Sequence, residues 1–153
     1  MRSLPEELLD HIVDHLYDSE DALKSCCIVS KSWILRTQRH LFARVSGSLK
    51  SWKERFLDSS TSPAYFTEYL RIDCPQAVAS AEAGDDGWIS TFSRVTHLEV
   101  YIRGSGIDES LTPLREFSTT AKSLCATFFA VSPLQIINFI YSFPLLDDLC
   151  AIM

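Results

Sequence analysis

Apolar residues at the start of this chain recur at intervals of three and four. Leu4, Leu8, Leu9, Ile12, Val13 and Leu16 form one stripe, the spacing of an amphipathic helix. Ser3 stands three residues before Glu6, the separation of a capping box, and Pro5 falls in the first turn, where its missing N–H costs nothing. A second stripe, Ala22, Leu23, Cys26 and Cys27, follows the polar run Asp18-Ser19-Glu20-Asp21. Those acids suit the positive end of a helix. Ser30 is placed to cap a third helix with Trp33, Ile34, Thr37 and Leu41 on one side. A segment this short cannot bury three such stripes by itself, so residues 1–45 predict a helical module whose surface needs a partner or a neighbouring domain.

Residues 46–63 read as a connector with a short helix over 48–57 and a turn-rich end, Asp58-Ser59-Ser60-Thr61-Ser62-Pro63. Beyond it, residues 64–153 carry four strand-like runs with apolar positions two apart, beginning at Tyr69, His97, Ser123 and Asp148. Their first apolar residues, Leu70, Leu98, Leu124 and Leu149, are 28, 26 and 25 residues apart. That interval is the length of a leucine-rich repeat, in which each strand is covered from one side by a helix or loop. The covering segments would be 76–83, 111–117 and 134–143, with turns at Gly84-Asp85-Asp86-Gly87 and Gly104-Ser105-Gly106. Because Met153 ends the chain within or just after the fourth run, a truncated array is expected.

Composition narrows the function classes. Of the 153 residues, 46% are hydrophobic and 22% charged, the balance of a folded domain. The net charge of −6 divides as −1 over residues 1–45 (six Lys/Arg, seven Asp/Glu) and −5 over the rest (eight and thirteen). With no basic stripe, binding driven by phosphate neutralisation is not expected. Five cysteines, Cys26, Cys27, Cys74, Cys125 and Cys150, form no CxxC pair. Three of them, Cys26, Cys27 and Cys125, lie in apolar patterns, which predicts buried free thiols in a reducing compartment. Charges at Arg2, Glu6 and Glu7 argue against a secretory signal. The uncharged stretch Ser123–Leu146, 24 residues, is long enough to cross a bilayer. Pro133, Pro144 and a change of period partway predict a buried strand–turn–helix instead.

Several side chains invite a sharper chemistry. His11 and His15, four apart, could bracket a zinc ion, yet they fall on the polar side of an amphipathic stripe, where solvated residues are the default. No cysteine has an activating neighbour for nucleophilic catalysis. Asp85-Asp86, Asp108-Glu109 and Asp147-Asp148 lack the spacing of a calcium loop. Lys31, Arg36, Arg39 and Arg44 give the third helix the mild basicity of a DNA reader, but Trp33 and Ile34 beside them suit packing or docking.

The residues Leu4-Pro5-Glu6-Glu7-Leu8-Leu9, Ile12, Leu16, Leu23, Val29-Ser30-Lys31-Ser32-Trp33 and Leu41-Phe42 resemble an F-box. The pattern spans about residues 2–44, and the remainder resembles the divergent leucine-rich repeats that follow such boxes in fungal proteins. The resemblance implies an α plus α/β chain: a three-helix F-box module, then a short, incomplete leucine-rich-repeat-like solenoid. It further implies the substrate-recognition subunit of an SCF-type ubiquitin ligase, serving ubiquitin-dependent protein degradation. By motif match, Leu4, Pro5, Leu8, Leu9, Ile12, Val29, Lys31 and Trp33 would face the ligase adaptor, and Leu16, Leu23, Leu41 and Phe42 would hold the helices together. The chain is then expected to be intracellular, cytoplasmic or nuclear, and non-enzymatic. No catalytic residue, metal, cofactor, nucleic acid or membrane is expected to take part, and the protein substrate is left open. The alternative is an interaction or scaffold module, or an inactive fragment, unrelated to ubiquitin.

Overall fold

The structure, a computed structural model, describes residues 5–47, 62–73, 90–103 and 113–153. Its first three elements are α1 (Glu6–His15), α2 (Glu20–Val29) and α3 (Lys31–Leu41). The stripes decide what each helix buries. Val13 of α1 and Leu23 and Cys26 of α2 are buried, with Leu9 and Leu16 half-buried beside them. At the start of α1, Pro5 occupies the cap position, and its carbonyl accepts from the Leu8 and Leu9 N–H groups at 3.1 and 3.3 Å. Only Ser30 separates α2 from α3, and its side-chain oxygen accepts the Ser32 N–H at 3.3 Å, capping α3. Within α3 the fully buried Thr37 returns its hydroxyl to the Trp33 carbonyl at 2.7 Å, so the polar group is satisfied inside the helix bundle.

The remaining elements form one sheet with strands β1 (Arg44–Gly47), β2 (Tyr69–Asp73), β3 (His97–Arg103), β4 (Ser123–Phe129) and β5 (Asp148–Ile152). All neighbours pair in parallel and the spatial order follows the chain, β1-β2-β3-β4-β5. Alternate residues of a strand point to opposite faces, and here one face is apolar throughout. Val45, Leu70, Leu98, Leu124 and Leu149 lie side by side across all five strands. Ile72, Val100 and Ala126 form the next row, and Ile102 faces Phe128 beyond it. Against this face pack the 3-10 turns Pro63–Phe66 and Pro113–Thr119, with Ala64, Leu114 and Phe117 buried. A helix, α4 (Pro133–Tyr141), completes the backing with Ile136 and Phe139. Ser132 and Gln135 cap α4 reciprocally, side chain to backbone in both directions. Ala130, with φ of 57°, supplies the left-handed residue that turns β4 toward α4.

The beginning of each strand after β1 repeats one hydrogen-bonding device. The N–H groups of Glu68 and Tyr69 both donate to the Ala43 carbonyl at 2.9 Å, and Thr96 and His97 donate to Glu68 at 2.9 and 3.0 Å. Lys122 and Ser123 then donate to Thr96, and Asp147 and Asp148 to Lys122. Each strand is thereby set in register before its own ladder begins.

The expected architecture, a helical module followed by an incomplete repeat solenoid, is overturned by this α/β fold on a single parallel sheet. Two findings carry the correction. Arg44–Gly47, read from the sequence as the junction with a connector, is β1, the first strand of the sheet and nearly continuous with α3. It escaped detection because a four-residue strand has one core side chain, Val45, and no period to measure. Among the described residues the backing also differs from strand to strand, a 3-10 turn in two places and an α-helix in a third, where repeated units would be alike. The four strand-like runs are strands, and Ser123–Leu146 is β4, a turn and α4. Among the described residues no helix is long and apolar enough to cross a membrane. The helices expected over 48–57 and 76–83 lie outside the described residues, as do Ser3, Leu4, Cys74 and the two glycine turns.

Phe139 sits edge-on between Phe128 and Phe143, with ring centroids 6.3 and 5.1 Å away. Phe139→Ala is therefore expected to lower unfolding free energy by about 3–5 kcal/mol in a denaturant titration. Tyr141→Ala, at a side chain 83% exposed, should stay within about 0.5 kcal/mol of the parent.

Candidate protein-docking site

Helices α1 and α3 are locked in orientation by one ionic cluster. From α3, the Arg36 Nε donates to Asp14 Oδ1 at 2.8 Å, a second guanidinium nitrogen reaches Asp14 Oδ2, and a third approaches Asp10 Oδ2 at 3.4 Å. His40 Nε2 lies 2.7 Å from Asp14 Oδ1. Hydrogen bonds from Arg36 first and His40 second outweigh burial and hold the Asp14 carboxyl well below the usual carboxylate range. The Arg36 and Asp14 side chains are each about one-third exposed (34%), so the pair contributes at most about 1 kcal/mol. Each buried Leu or Val contributes about 1.5–3 kcal/mol. The apolar stripes therefore hold the helices together and the cluster sets their angle. The contacts also climb in step, Asp10 with Arg36 and Asp14 with Arg36 and His40.

Against that frame the eight residues nominated from the sequence fall into groups. Leu8 and Ile12, four apart on α1, are exposed at 48% and 43%. At the α2–α3 junction Val29 is 67% exposed, Lys31 is exposed and Trp33 half-buried. Pro5 is exposed at the cap of α1, and Leu9 is half-buried, turned toward the helix interior with Val13. Leu4 lies outside the described residues. Two further exposed apolar side chains, Ile28 and Leu35, flank the junction and were not nominated. A sequence signal existed, since both stand off the buried stripe of their own helix, but exposure is visible only once the neighbours are placed. His11 and His15 are exposed beside Leu8 and Ile12, so that side of α1 is mixed and not a purely solvated stripe. Among the described residues no group of three or more His, Cys, Asp or Glu side chains is arranged to hold a metal ion. Of the basic residues on the third helix, Arg36 is engaged with Asp14.

The open face of the sheet is a second surface. It carries Tyr69 and Arg71 of β2, Glu99 and Tyr101 of β3, Cys125 of β4 and Cys150 of β5, all residues opposite in parity to the core rows. Glu99 accepts hydrogen bonds from the Tyr69 and Tyr101 hydroxyls, the latter at 2.8 Å, and Arg71 stands 3.8 Å away with its guanidinium 4.7 Å over the Tyr101 ring. Burial alone would raise the Glu99 carboxyl. The two phenol hydrogen bonds and the Arg71 charge overcome it, leaving Glu99 below its ordinary value. The reciprocal effect pushes the Tyr69 phenol up to about 12, chiefly through its bond to Glu99. The result is a fixed polar and aromatic patch of interlocked side chains.

Because the folded-state value of Asp14 is depressed, its stabilisation is complete above the ordinary carboxylate value of about 3.9 and drains away as pH falls below it. Asp14→Asn should melt below the parent at neutral pH, and the gap should close in acid. On the sheet, Glu99→Gln should return the Tyr69 phenol toward about 10 in a spectrophotometric titration.

Comparison of this chain with protein-family models, with curated proteins and with solved structures finds no match.

Proposed function

We propose that this chain is an F-box-like adaptor-binding protein, the substrate-recognition component of an SCF-type ubiquitin ligase. Leu8, Ile12, Val29 and Trp33, with Pro5 and Lys31, dock on the ligase adaptor, and the open face of the sheet is offered to the substrate. The observation that carries the reading is the exposure of Leu8 and Ile12 on α1 together with Val29 at the tight α2–α3 junction. These are large apolar side chains left uncovered while the inward stripe of the same helices is satisfied. Burying several of them at about 1.5–3 kcal/mol each offsets an association cost of about 4–15 kcal/mol. The motif residues Leu-Pro at the start of the first helix and Val-Ser-Lys-Ser-Trp across the next junction give the reading its chemical identity. The polar, aromatic character of the Tyr69–Glu99–Tyr101 patch supports a recognition role for the sheet.

The test is capture of the full chain by purified ligase adaptor, beside a Leu8→Ala/Ile12→Ala variant. Both substitutions fall at exposed positions, so the variant should keep the parent's circular dichroism spectrum. The parent should bind with little dependence on salt, as apolar contacts require, and the variant should lose at least about tenfold in affinity, or about 1.4 kcal/mol. Absence of binding by a helical parent overturns the ligase reading in favour of an interaction module for another partner. Binding that collapses as salt rises points instead to an ionic partner such as nucleic acid.

A further inference from the structure

Two of the five cysteines meet on the open face of the sheet, where the proposed function gives them no role. Cys125 of β4 and Cys150 of β5 are direct partners in the parallel register, flanked by the pairs Leu124–Leu149 and Ala126–Ala151. Both point away from the core, Cys125 half-buried and Cys150 exposed, and both are free thiols. The apolar pattern around Cys125 predicts a buried thiol; the strand's alternation turns it to the open face instead. Neighbouring strands stand about 4.7–4.9 Å apart, inside the range of about 4.4–6.8 Å that Cα atoms of a disulfide span.

We propose that Cys125 and Cys150 form a reversible cross-strand dithiol switch, a modification site oxidised by small-molecule disulfides such as glutathione disulfide. Cys150, the more accessible, attacks as its thiolate on one sulfur of the oxidant, forming a mixed disulfide and releasing one glutathione thiolate. Cys125 then loses its proton and attacks the Cys150 sulfur, forming the intramolecular bond and releasing the second glutathione thiolate. The protein loses two electrons and two protons, and the oxidant is reduced to two thiols. Burial raises the Cys125 thiol, which suits the slower, resolving position. The structural consequence falls on β5. Among the described residues β5 is the outermost strand, paired with β4 alone, and its five residues are all exposed. The bridge would fasten that edge and fix the part of the open face that Cys150 and Ile152 present.

The experiment incubates the full chain, under conditions that keep its native circular dichroism spectrum, in mixtures of reduced and oxidised glutathione. Remaining thiols are alkylated and the peptides mapped by mass spectrometry. The expected result is joint loss of alkylation at Cys125 and Cys150, a linked peptide lighter by two hydrogens, and full reversal by dithiothreitol. In Cys125→Ser, or Cys125→Ala should the serine variant fold poorly, Cys150 should instead accumulate a stable glutathione adduct. The proposal is overturned if the parent accumulates that same adduct while Cys125 stays alkylatable. It is equally overturned if either residue bridges to Cys26, Cys27 or Cys74, or if neither thiol is lost at any oxidant ratio.

Discussion

Register in the parallel sheet is the constraint on which everything else rests. At the start of each strand after β1, two successive N–H groups share the carbonyl of the residue just before the preceding strand, from Ala43 through Glu68 and Thr96 to Lys122. A slip of one residue at any step would exchange the two faces of a strand. On β3 it would carry Glu99 into the core and expose Leu98 and Val100, stranding a charge away from its tyrosine and arginine partners. The aligned row Val45–Leu70–Leu98–Leu124–Leu149 is the apolar reason the register holds. The shared carbonyls are its backbone counterpart.

The same constraint reaches the helices. Only Phe42 and Ala43 separate α3 from β1, and the Ala43 carbonyl is the acceptor that starts β2. α3 also packs against the 3-10 turn Pro63–Phe66 behind the sheet. The orientation of α3 is therefore tied to the sheet, and α1 is tied to α3 by Asp14, Arg36 and His40. Any partner seated on the helices would accordingly hold the open sheet face in a defined direction.

Charge in this protein orients more than it stabilises. The Arg36–Asp14 pair and the Glu99 network both lie at partly exposed positions, where ion pairs contribute little net free energy. What they contribute is geometry: the angle between α1 and α3, and the fixed placement of two phenols and a guanidinium on the sheet. The thiol pair beside that network arises from the same parallel register.

Much was legible in the sequence because it depends on neighbours close along the chain. The apolar spacing of Leu9, Val13 and Leu16 marked α1, Ser30 marked the start of α3, and alternation marked β2, β3, β4 and β5. These are local rules, set by the 3.6- and 2-residue periods of the backbone. The sequence by itself thus determined the helices α1 to α4, the strands β2 to β5 and the core-facing stripe of each. Only the tertiary structure decided how they assemble. Arg44–Gly47 becomes a strand because Tyr69–Asp73 lies beside it, and its four residues carry no readable period of their own. Leu8 and Leu9 are chemically identical neighbours, yet one is exposed and the other half-covered, because coverage depends on where the rest of the chain lies. The Asp14–Arg36, Tyr69–Glu99 and Cys125–Cys150 contacts join residues 22, 30 and 25 positions apart. Contacts at that range exist only once strand register and helix packing have closed the intervening chain.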